Sequence, residues 1–369
     1  MIKIDQLEIY QSTVLLKKPF VTSLSRDTHA KNIVVVIRTD EGITGFGECN
    51  PFLPISGESM ESAFAVAQYL AQGLLHKNPL DITGNSALMD AIIYGNASIK
   101  SAFDIALYDI ASQQAGIPLY AFLGGSKNKQ IVTDYTISIR EVNRMVTDAE
   151  NIIENGFSII KIKLGGSYEK DMERIRRIRE TAGRDITLRI DANQGWSKET
   201  AIEILQDLDD FNIQHCEEPI PRFDFMELPE VRQKSSIPVM ADESCCDHHD
   251  AKRLIAINAC DSINIKLGKS SGIYKALKIS ALAEEANLTI QVGGFLESRL
   301  GFTASAHLAL ACKNALYFDF DTPLMFVDDP VTDGITYNRG GVITMPDKPG
   351  LGAFIEDGYL QKLNKIIIR

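Results

Sequence analysis

The chain has 369 residues, 45% of them hydrophobic, a mean hydropathy of -0.04 and a formal net charge of -11. That length holds two domains or one barrel with additions, and the composition is that of an ordinary globular protein. The acidic balance argues against nucleic acid as a partner, no apolar run approaches the roughly 20 residues that span a bilayer, and MIKIDQLEIY lacks the basic and apolar regions of a secretory leader. Six cysteines (Cys49, Cys216, Cys245, Cys246, Cys260 and Cys312) are scattered without a CxxC pair. They read as free thiols in a reducing cytoplasm, with no membrane attachment expected.

Residues 1–125 read as an α+β domain. IDQLEIYQSTVLL and NIVVVIRTDEGITGFGE have the character of strands, with EGIT as a turn. From Ser59 to about Leu123 the period lengthens. In SIKSAFDIALYDIASQQAG, Ile99, Ala102, Phe103, Ala106, Leu107 and Ile110 recur at steps of three and four, and Gly116 stops the run. A small antiparallel sheet followed by helices is expected here.

After Gly125 strand-like and helix-like runs alternate. The strand candidates are TDYTISI, SIIKIKLG, TLRIDAN, IQHCEEP, PVMADES, DSINIKLG, TIQVGGFLES and LYFDFDTP. Lys163, Asp191, Glu217, Asp242 and Lys266 occupy late-strand positions, separated in turn by 28, 26, 25 and 24 residues. Each step fits one βα unit, and eight units predict a closed α/β barrel of the TIM type over residues 126–334. Past Pro323 the pattern fades into turns. Residues 335–369 are expected to pack back on the first domain and complete it.

In such a barrel the active site lies at the C-terminal ends of the strands. Here the second to sixth strands all end in charge: Lys161 and Lys163, then Asp191, then Glu217 and Glu218, then Asp242 and Glu243, then Lys266. Lys161 and Lys163 alternate with isoleucines in FSIIKIKLGG, so they share a face. On an edge strand such lysines would face solvent and block aggregation, but a closed barrel has no edge. Acids on three adjacent strands suit a hard divalent cation. Mg²⁺ prefers oxygen ligands and leaves positions open for substrate, and no His or Cys accompanies these acids at zinc-like spacing. Lys163 and Lys266 stand roughly opposite each other around the ring. A desolvated lysine beside another cation, as Lys163 is beside Lys161, can serve as a neutral base. Two such bases on opposite faces of one carbon, with a metal to stabilise an enolate, form an arrangement for reversible proton abstraction α to a carboxylate.

SIIKIKLG, RIDANQGW, CEEP, ADES and INIKLG, in that order, resemble the muconate-lactonizing-enzyme subgroup of the enolase superfamily. The resemblance covers nearly the whole chain, including SIKSAFDIALYDIASQQAGIPLYAFLGG in the capping domain. It implies a Mg²⁺ cofactor held by Asp191, Glu217 and Asp242, with Lys163 and Lys266 as the acid/base pair and Lys161 adjusting Lys163 and touching the substrate carboxylate. That use of a lysine base beside Mg²⁺ is the known chemistry of the superfamily. In CEEP the ligand role goes to Glu217, since the family often has EQP there. Asp319 and Asp321, two apart in LYFDFDTP, are similar to the DxD motif with which dipeptide epimerases hold the α-ammonium of their substrate. The resemblance therefore implies an isomerase that epimerises the C-terminal residue of a dipeptide, with a small-molecule partner and a homo-oligomeric assembly. Two alternatives stand beside it. One is another reaction of the subgroup, o-succinylbenzoate synthesis or muconate cycloisomerisation, whose substrates lack an ammonium. The other is a catalytically silent carboxylate-binding barrel, which should have lost one or more of the five key residues.

Residues 19–29, PFVTSLSRDTH, fall where the family has a mobile capping loop. Arg26 in that loop is a candidate to bind a side-chain carboxylate, as an arginine does in Ala-Glu epimerases. NPFLPISGES, residues 50–59, is expected to be a second capping loop. Glu297 stands near the end of the seventh strand, either facing the site or making a structural ion pair. Trp196, just past Asp191, reads as loop packing, and His248 and His249 read as the start of a helix.

Overall fold

The computed structural model describes residues 2–127 and 129–369. Strands β1 (Ile4–Val21), β2 (Arg26–Thr39) and β3 (Thr44–Cys49) form an antiparallel sheet. From Ser12 to Leu16 every second residue of β1 is buried, the period of a sheet with one wet face. Three long helices follow, α1 (Met60–Leu74), α2 (Ile82–Ile92) and α3 (Ala97–Gln114), flanked by the single helical turns Leu53–Ser56 and Leu119–Phe122. Ser59 and Ser62 exchange side-chain-to-backbone hydrogen bonds and start α1 as a capping box. Helix α3 is buried from Ser98 to Ser112. Ile99, Ala102 and Phe103 join the core of the first domain, while Ile105 and Tyr108 join the core of the second. A helix buried on all sides is one sandwiched between two bodies.

The second body is an eight-stranded parallel sheet. Its strands are β4 (Tyr135–Ile137), β5 (Ile159–Lys163), β6 (Thr187–Asp191), β7 (Ile213–Glu217), β8 (Val239–Ala241), β9 (Ser262–Lys266), β10 (Thr289–Gly293) and β11 (Ala315–Phe318). They are hydrogen-bonded in chain order. The ring closes where the Asp134 N–H donates to the Phe318 carbonyl at 3.3 Å and the Phe320 N–H donates to Thr133 Oγ1 at 2.7 Å. Between the strands run helices α4 (Val142–Glu154), α5 (Tyr168–Ala182), α6 (Lys198–Asp207), α7 (Leu228–Lys234), α8 (His248–Ala256), α9 (Ile273–Glu285) and α10 (Arg299–Ala311).

This is the expected TIM-type barrel with one difference. The eighth strand is followed by the 3₁₀ turn Thr322–Met325 rather than a helix. Pro323 in that turn has no N–H to give, and the chain turns away toward the C-terminal region. There Val331–Asp333 pairs with Ala353–Ile355, and β12 (Asn364–Ile368) adds antiparallel to β1 with Ile368 opposite Leu7.

The barrel strands alternate. Ile160, Ile162, Leu188, Ile190, Ile263, Ile265, Ile290 and Val292 join one core with helix residues such as Ile175, Ile178, Ile204 and Ile279. The residues between them are polar and buried: Lys161, Lys163, Arg189, Asp191, Glu217, Asn264, Lys266 and Gln291. Hydrogen bonds among Lys161, Lys163, Asp191, Glu217, Asn264 and Gln291, with the ion pairs of Lys266 to Asp242 and Arg189 to Asp134, put them in the lumen. Period-two alternation thus sends apolar groups out to the helices and charges in to the barrel axis.

Acids of the first domain bind the two bodies together. Asp104 on α3 accepts hydrogen bonds from the N–H groups of Ile273 and Tyr274 at the start of α9, at 2.6 and 3.2 Å. Glu48 on β3 accepts from Ser298 and Gly301 at the start of α10, at 3.1 and 2.9 Å. Free N–H groups and the helix dipole both favour a carboxylate there. Asp104→Ala should lower unfolding stability by about 1–3 kcal/mol. The check is urea denaturation. The midpoint should fall with the slope unchanged, and an unchanged midpoint would remove Asp104 from the interface account.

Candidate active site

The C-terminal ends of β5 to β9 bring the expected charges together. Strands β5, β6, β7 and β9 end on Lys163, Asp191, Glu217 and Lys266, and Asp242 is the residue after β8. In the sheet register Lys163 stands opposite Asp191, and Asp191 opposite Glu217. Lys163 Nζ lies 2.6 Å from Asp191 Oδ2, and Lys266 Nζ lies 2.7 Å from Asp242 Oδ2. Lys161 Nζ reaches Glu217 at 2.7 Å, Asp319 at 2.8 Å and Asp191 at 3.2 Å.

The electrostatics follow from that packing. Burial opposes the charge on Lys161, but Asp319, Glu217 and Asp191 outweigh it and hold the ammonium well above the usual lysine range. Lys266 is raised in the same way: burial is overcome by Asp242 and Glu217. Glu217 pays a desolvation penalty that Lys161, Lys266 and Lys163 more than offset, so it stays ionised well below the usual carboxylate range. Asp242 goes the other way, raised by burial and by Glu217 against the pull of Lys266 and Lys269.

Two further side chains hold Glu217. Asn264 Nδ2 donates to Oε1 at 2.9 Å and Gln291 Nε2 donates to Oε2 at 3.1 Å. Neither appears among the expected residues, although Asn264 lies two before Lys266 in INIK and period-two alternation puts both on one face. Lys269, also unforeseen, donates to the carbonyls of Asp242 and Asn264, at 2.7 Å each. It sits in a turn, where no strand period marks it. Glu218 has a left-handed backbone, φ 36°, and accepts from the Asp242 N–H at 2.6 Å. It braces the loop after β8 and leaves the centre to Glu217.

Asp191, Glu217 and Asp242 fit a hard divalent cation. All three are fully buried, and neither carboxylate oxygen of Asp242 receives a hydrogen bond of good geometry. The positive charges in contact with the three are lysine ammoniums, which are hard, compact cations like Mg²⁺. A second acid group, Asp134, Asp319 and Asp321, has carboxylate oxygens within 4.8 Å of one another. Each of its members also has a contact of its own, as the acids of the first group do. Asp134 pairs with Arg189 at 2.8 Å, Asp319 with Lys161, and Asp321 accepts the Thr136 N–H at 2.5 Å. Asp319 and Asp321 lie just beyond the end of β11, in the turn, and both line the same cavity as Lys163 and Lys266.

The rest of the lining is part polar, from Thr22, Thr136, Asn193 and Thr322, and part apolar. Phe20, Leu24, Phe52 and Ile55 come from the first domain, and Phe295 and Leu296 from the loop after β10. Phe52 stacks on Phe295 with centroids 5.4 Å apart. Arg26 does not reach the site. Expected in a long loop, it is the first residue of β2 and pairs with Val21 across a hairpin whose tip is residues 22–25. Phe20, one residue along, faces the cavity, so alternation turns Arg26 to the opposite, exposed face. Glu297 is also outside the cavity lining. It is buried beneath the loop after β10, where its Oε2 accepts the Phe295 N–H at 2.6 Å, and burial pushes its pKa up to about 7. Trp196 is 2% exposed and packs a loop as expected.

A capped parallel barrel with lysines and acids facing each other across its mouth defines an enolase-type protein. Residues 144–358 match the enolase C-terminal domain-like family, and residues 5–124 match the mandelate racemase / muconate lactonizing enzyme N-terminal domain. The chain belongs to the mandelate racemase / muconate lactonizing enzyme family of the enolase superfamily. It is 61% identical over 365 residues to the D-Ala-D/L-Ala epimerase of Cytophaga hutchinsonii, covering 99% of each chain. It is 40% identical over 357 residues to the L-Ala-D/L-Glu epimerase of Bacillus subtilis, covering 95% of this chain and 96% of the relative. The crystal structure of a dipeptide epimerase from Cytophaga hutchinsonii, complexed with Mg and the dipeptide D-Ala-L-Val, superposes with a TM-score of 0.99 over 100% of both chains at 61% identity.

Asp321 has a pKa raised to about 7, first by burial and then by Asp319 beside it. It carries its full negative charge only above that value. A cationic ligand group at this site should therefore bind more weakly as pH falls through about 7, and Asp321→Asn should flatten that dependence. Calorimetric titration with a free dipeptide between pH 5.5 and 8.5 reads it. A binding constant that strengthens toward low pH would contradict the assignment.

Proposed function

We propose that this protein is a Mg²⁺-dependent dipeptide epimerase that inverts the α-carbon of the C-terminal residue and prefers small or apolar side chains. The observation that carries this reading is one cavity lined by Lys163 and Lys266, by the Asp319–Asp321 pair, and by six apolar groups, with the candidate Arg26 outside it. The family relatives with dipeptide-epimerase activity support it, as does the complex of one of them with Mg and D-Ala-L-Val.

Bound at Asp191, Glu217 and Asp242, Mg²⁺ supplies the positive charge that favours the enolate form of a substrate carboxylate. The chain's own residues do the rest. Asp319 and Asp321 take the α-ammonium and so fix which carbon stands between the lysines. The acids that keep Lys266 charged are offset when a cation is held by Asp191, Glu217 and Asp242. Whichever of Lys163 and Lys266 is then the neutral amine accepts the α-proton on its Nζ as the C–H electron pair moves into the carboxylate group, while the other is the ammonium. The other gives a proton to the opposite face, re-forming the C–H bond with inverted configuration. Lys161 stays an ammonium among its acids, and its charge favours the anionic intermediate. Phe20, lying 6.0 Å from the Lys163 ammonium, and Phe295, 5.1 Å from that of Lys266, exclude water around both groups.

Lys163→Ala and Lys266→Ala should each abolish epimerisation. Each variant should still exchange the α-proton of one epimer with deuterated solvent, because one lysine survives on one face. Proton NMR in deuterium oxide measures both. Wild-type epimerisation by both variants would refute the two-lysine scheme.

Ammonium recognition and side-chain preference are read together from a dipeptide panel. Two charge-assisted contacts to Asp319 and Asp321, at roughly 1.5–3 kcal/mol each, make N-acetylation cost a hundredfold or more in kcat/KM. Ala-Val and Ala-Ala should exceed Ala-Glu by tenfold or more, since the cavity lining holds no arginine. Equal rates on free and acetylated forms, or a preference for Ala-Glu, would overturn the substrate class.

A further inference from the structure

Asp171, in the first turn of α5, is fully buried and lies outside the cavity. Its Oδ2 accepts three hydrogen bonds: from the N–H groups of Gly165 and Gly166 at 3.0 and 2.7 Å, and from the indole N–H of Trp196 at 2.9 Å. Its Oδ1 accepts from Arg174 at 2.6 Å. Gly165 and Gly166 follow Lys163, and Trp196 ends the turn that follows Asp191. One carboxylate therefore joins the turns beyond two charged strand ends.

Those turns touch with no room to spare. Gly165 has φ 105°, and a Cβ there would lie 2.5 Å from the Ala192 carbonyl oxygen. A Cβ on Gly195 would lie 2.3 Å from the Gly165 Cα. Asn193 and Gln194 between them hold left-handed backbones, φ 41° and 67°. Strained backbone of this kind persists only where its surroundings fix it. On top of the paired turns rests the hairpin tip of the first domain. Ser23 Oγ donates to the Asn193 carbonyl at 2.6 Å, while the flanking Thr22 and Leu24 line the cavity.

We propose that Asp171 is a positioning residue: by tying the Gly165–Gly166 turn to the Trp196 turn, it builds the seat on which the tip 22–25 closes over bound substrate. The role of closure in catalysis rests on the dipeptide-epimerase reading, whereas the seat itself does not. Failure of the two is therefore distinguishable.

The test uses hydrogen–deuterium exchange on the ligand-free protein together with steady-state kinetics. Asp171→Asn keeps the size of the side chain but puts an NH₂ among N–H donors. Its tip segment 19–26 and the turns 164–166 and 192–196 should exchange at least tenfold faster, with the rest of the barrel unchanged. Ser23→Ala should speed the tip segment alone. For a dipeptide such as Ala-Val, Asp171→Asn should raise KM about tenfold with kcat changed less than threefold. The double variant should be no worse than Asp171→Asn alone, since the Ser23 bond needs the seat. Trp196 is the sole tryptophan, so its emission should shift when dipeptide is added to the wild type and not to Asp171→Asn. Unchanged exchange at 19–26, exchange accelerated equally everywhere, or multiplicative losses in the double variant would each overturn the proposal. Should Asp171→Asn fail to fold, Trp196→Phe removes a single donor from the same carboxylate. It must then speed exchange at the tip, or the proposal fails. If the wild type turns over no dipeptide, the exchange data still decide the seat while the substrate reading falls.

Discussion

Lys161 is the interaction on which the rest of the site depends. Its ammonium is sealed in the barrel among Asp319, Glu217 and Asp191, with the side chain 1% exposed. Burying a charge is costly unless it is paired, and here each partner is itself a buried ion that needs a partner in turn. The pairing therefore propagates around the mouth: Asp191 to Lys163, Glu217 to Asn264 and Gln291, Asp242 to Lys266 and Lys269. These four acids and four lysines balance, and the adjoining Glu243 and Asp321 put the acids in excess. The excess appears as carboxyl groups pushed toward their neutral form, namely Asp242, Glu243 and Asp321, each raised first by burial. A divalent cation among the acids and an ammonium at the Asp319–Asp321 end are the two charges such a network lacks. The cofactor and substrate of the proposed function are thus complementary to an electrostatic surplus built into the strands.

That surplus is tolerable because the fold keeps it dry and rigid. The apolar residues of every second strand position lock the barrel to its helices, so the lumen charges cannot separate to seek water. The first domain supplies the lid, and its own acids hold it down at the starts of α9 and α10. Asp104, buried on α3, has a pKa pushed up to about 7 by burial. The domain interface therefore uses the same device as the active site, a buried carboxylate answered by polar groups from another part of the chain.

Much of this was legible in the sequence, and the reason is geometric. A strand end has one register, so a lysine or aspartate at the last position of a βα repeat can go to only one place. Lys163, Asp191, Glu217 and Lys266 end their strands, and Asp242 stands one residue beyond. Arg26 was misplaced because its surroundings read as a loop when they are a hairpin, and a strand gives each side chain one of two faces. Glu297 was ambiguous because the chain folds back after β10, and a carboxylate two residues from an N–H can satisfy its own loop. The missing eighth helix had a signal in Pro323, past which the helical pattern gives way to turns. Glu48 and Asp104 had no local signal at all: their partners lie 250 and 169 residues away in sequence.

The two domains divide the work in a way that the residues themselves explain. Every charge assigned to proton transfer or cation binding belongs to the barrel, where one displaced ion would leave its partner uncompensated. Four of the six apolar groups that line the cavity, Phe20, Leu24, Phe52 and Ile55, belong to the first domain and pair with no charge in the network except through the face of Phe20. Replacing Leu24 or Ile55 would change the shape and polarity offered to a substrate side chain and leave the ion pairs intact. Replacing Asp191 would leave Lys163 without its carboxylate and Lys161 with one acid fewer. Substrate preference in such a molecule is free to drift on the lid while the barrel mouth stays fixed, because only the second is bound by the requirement that buried charges balance.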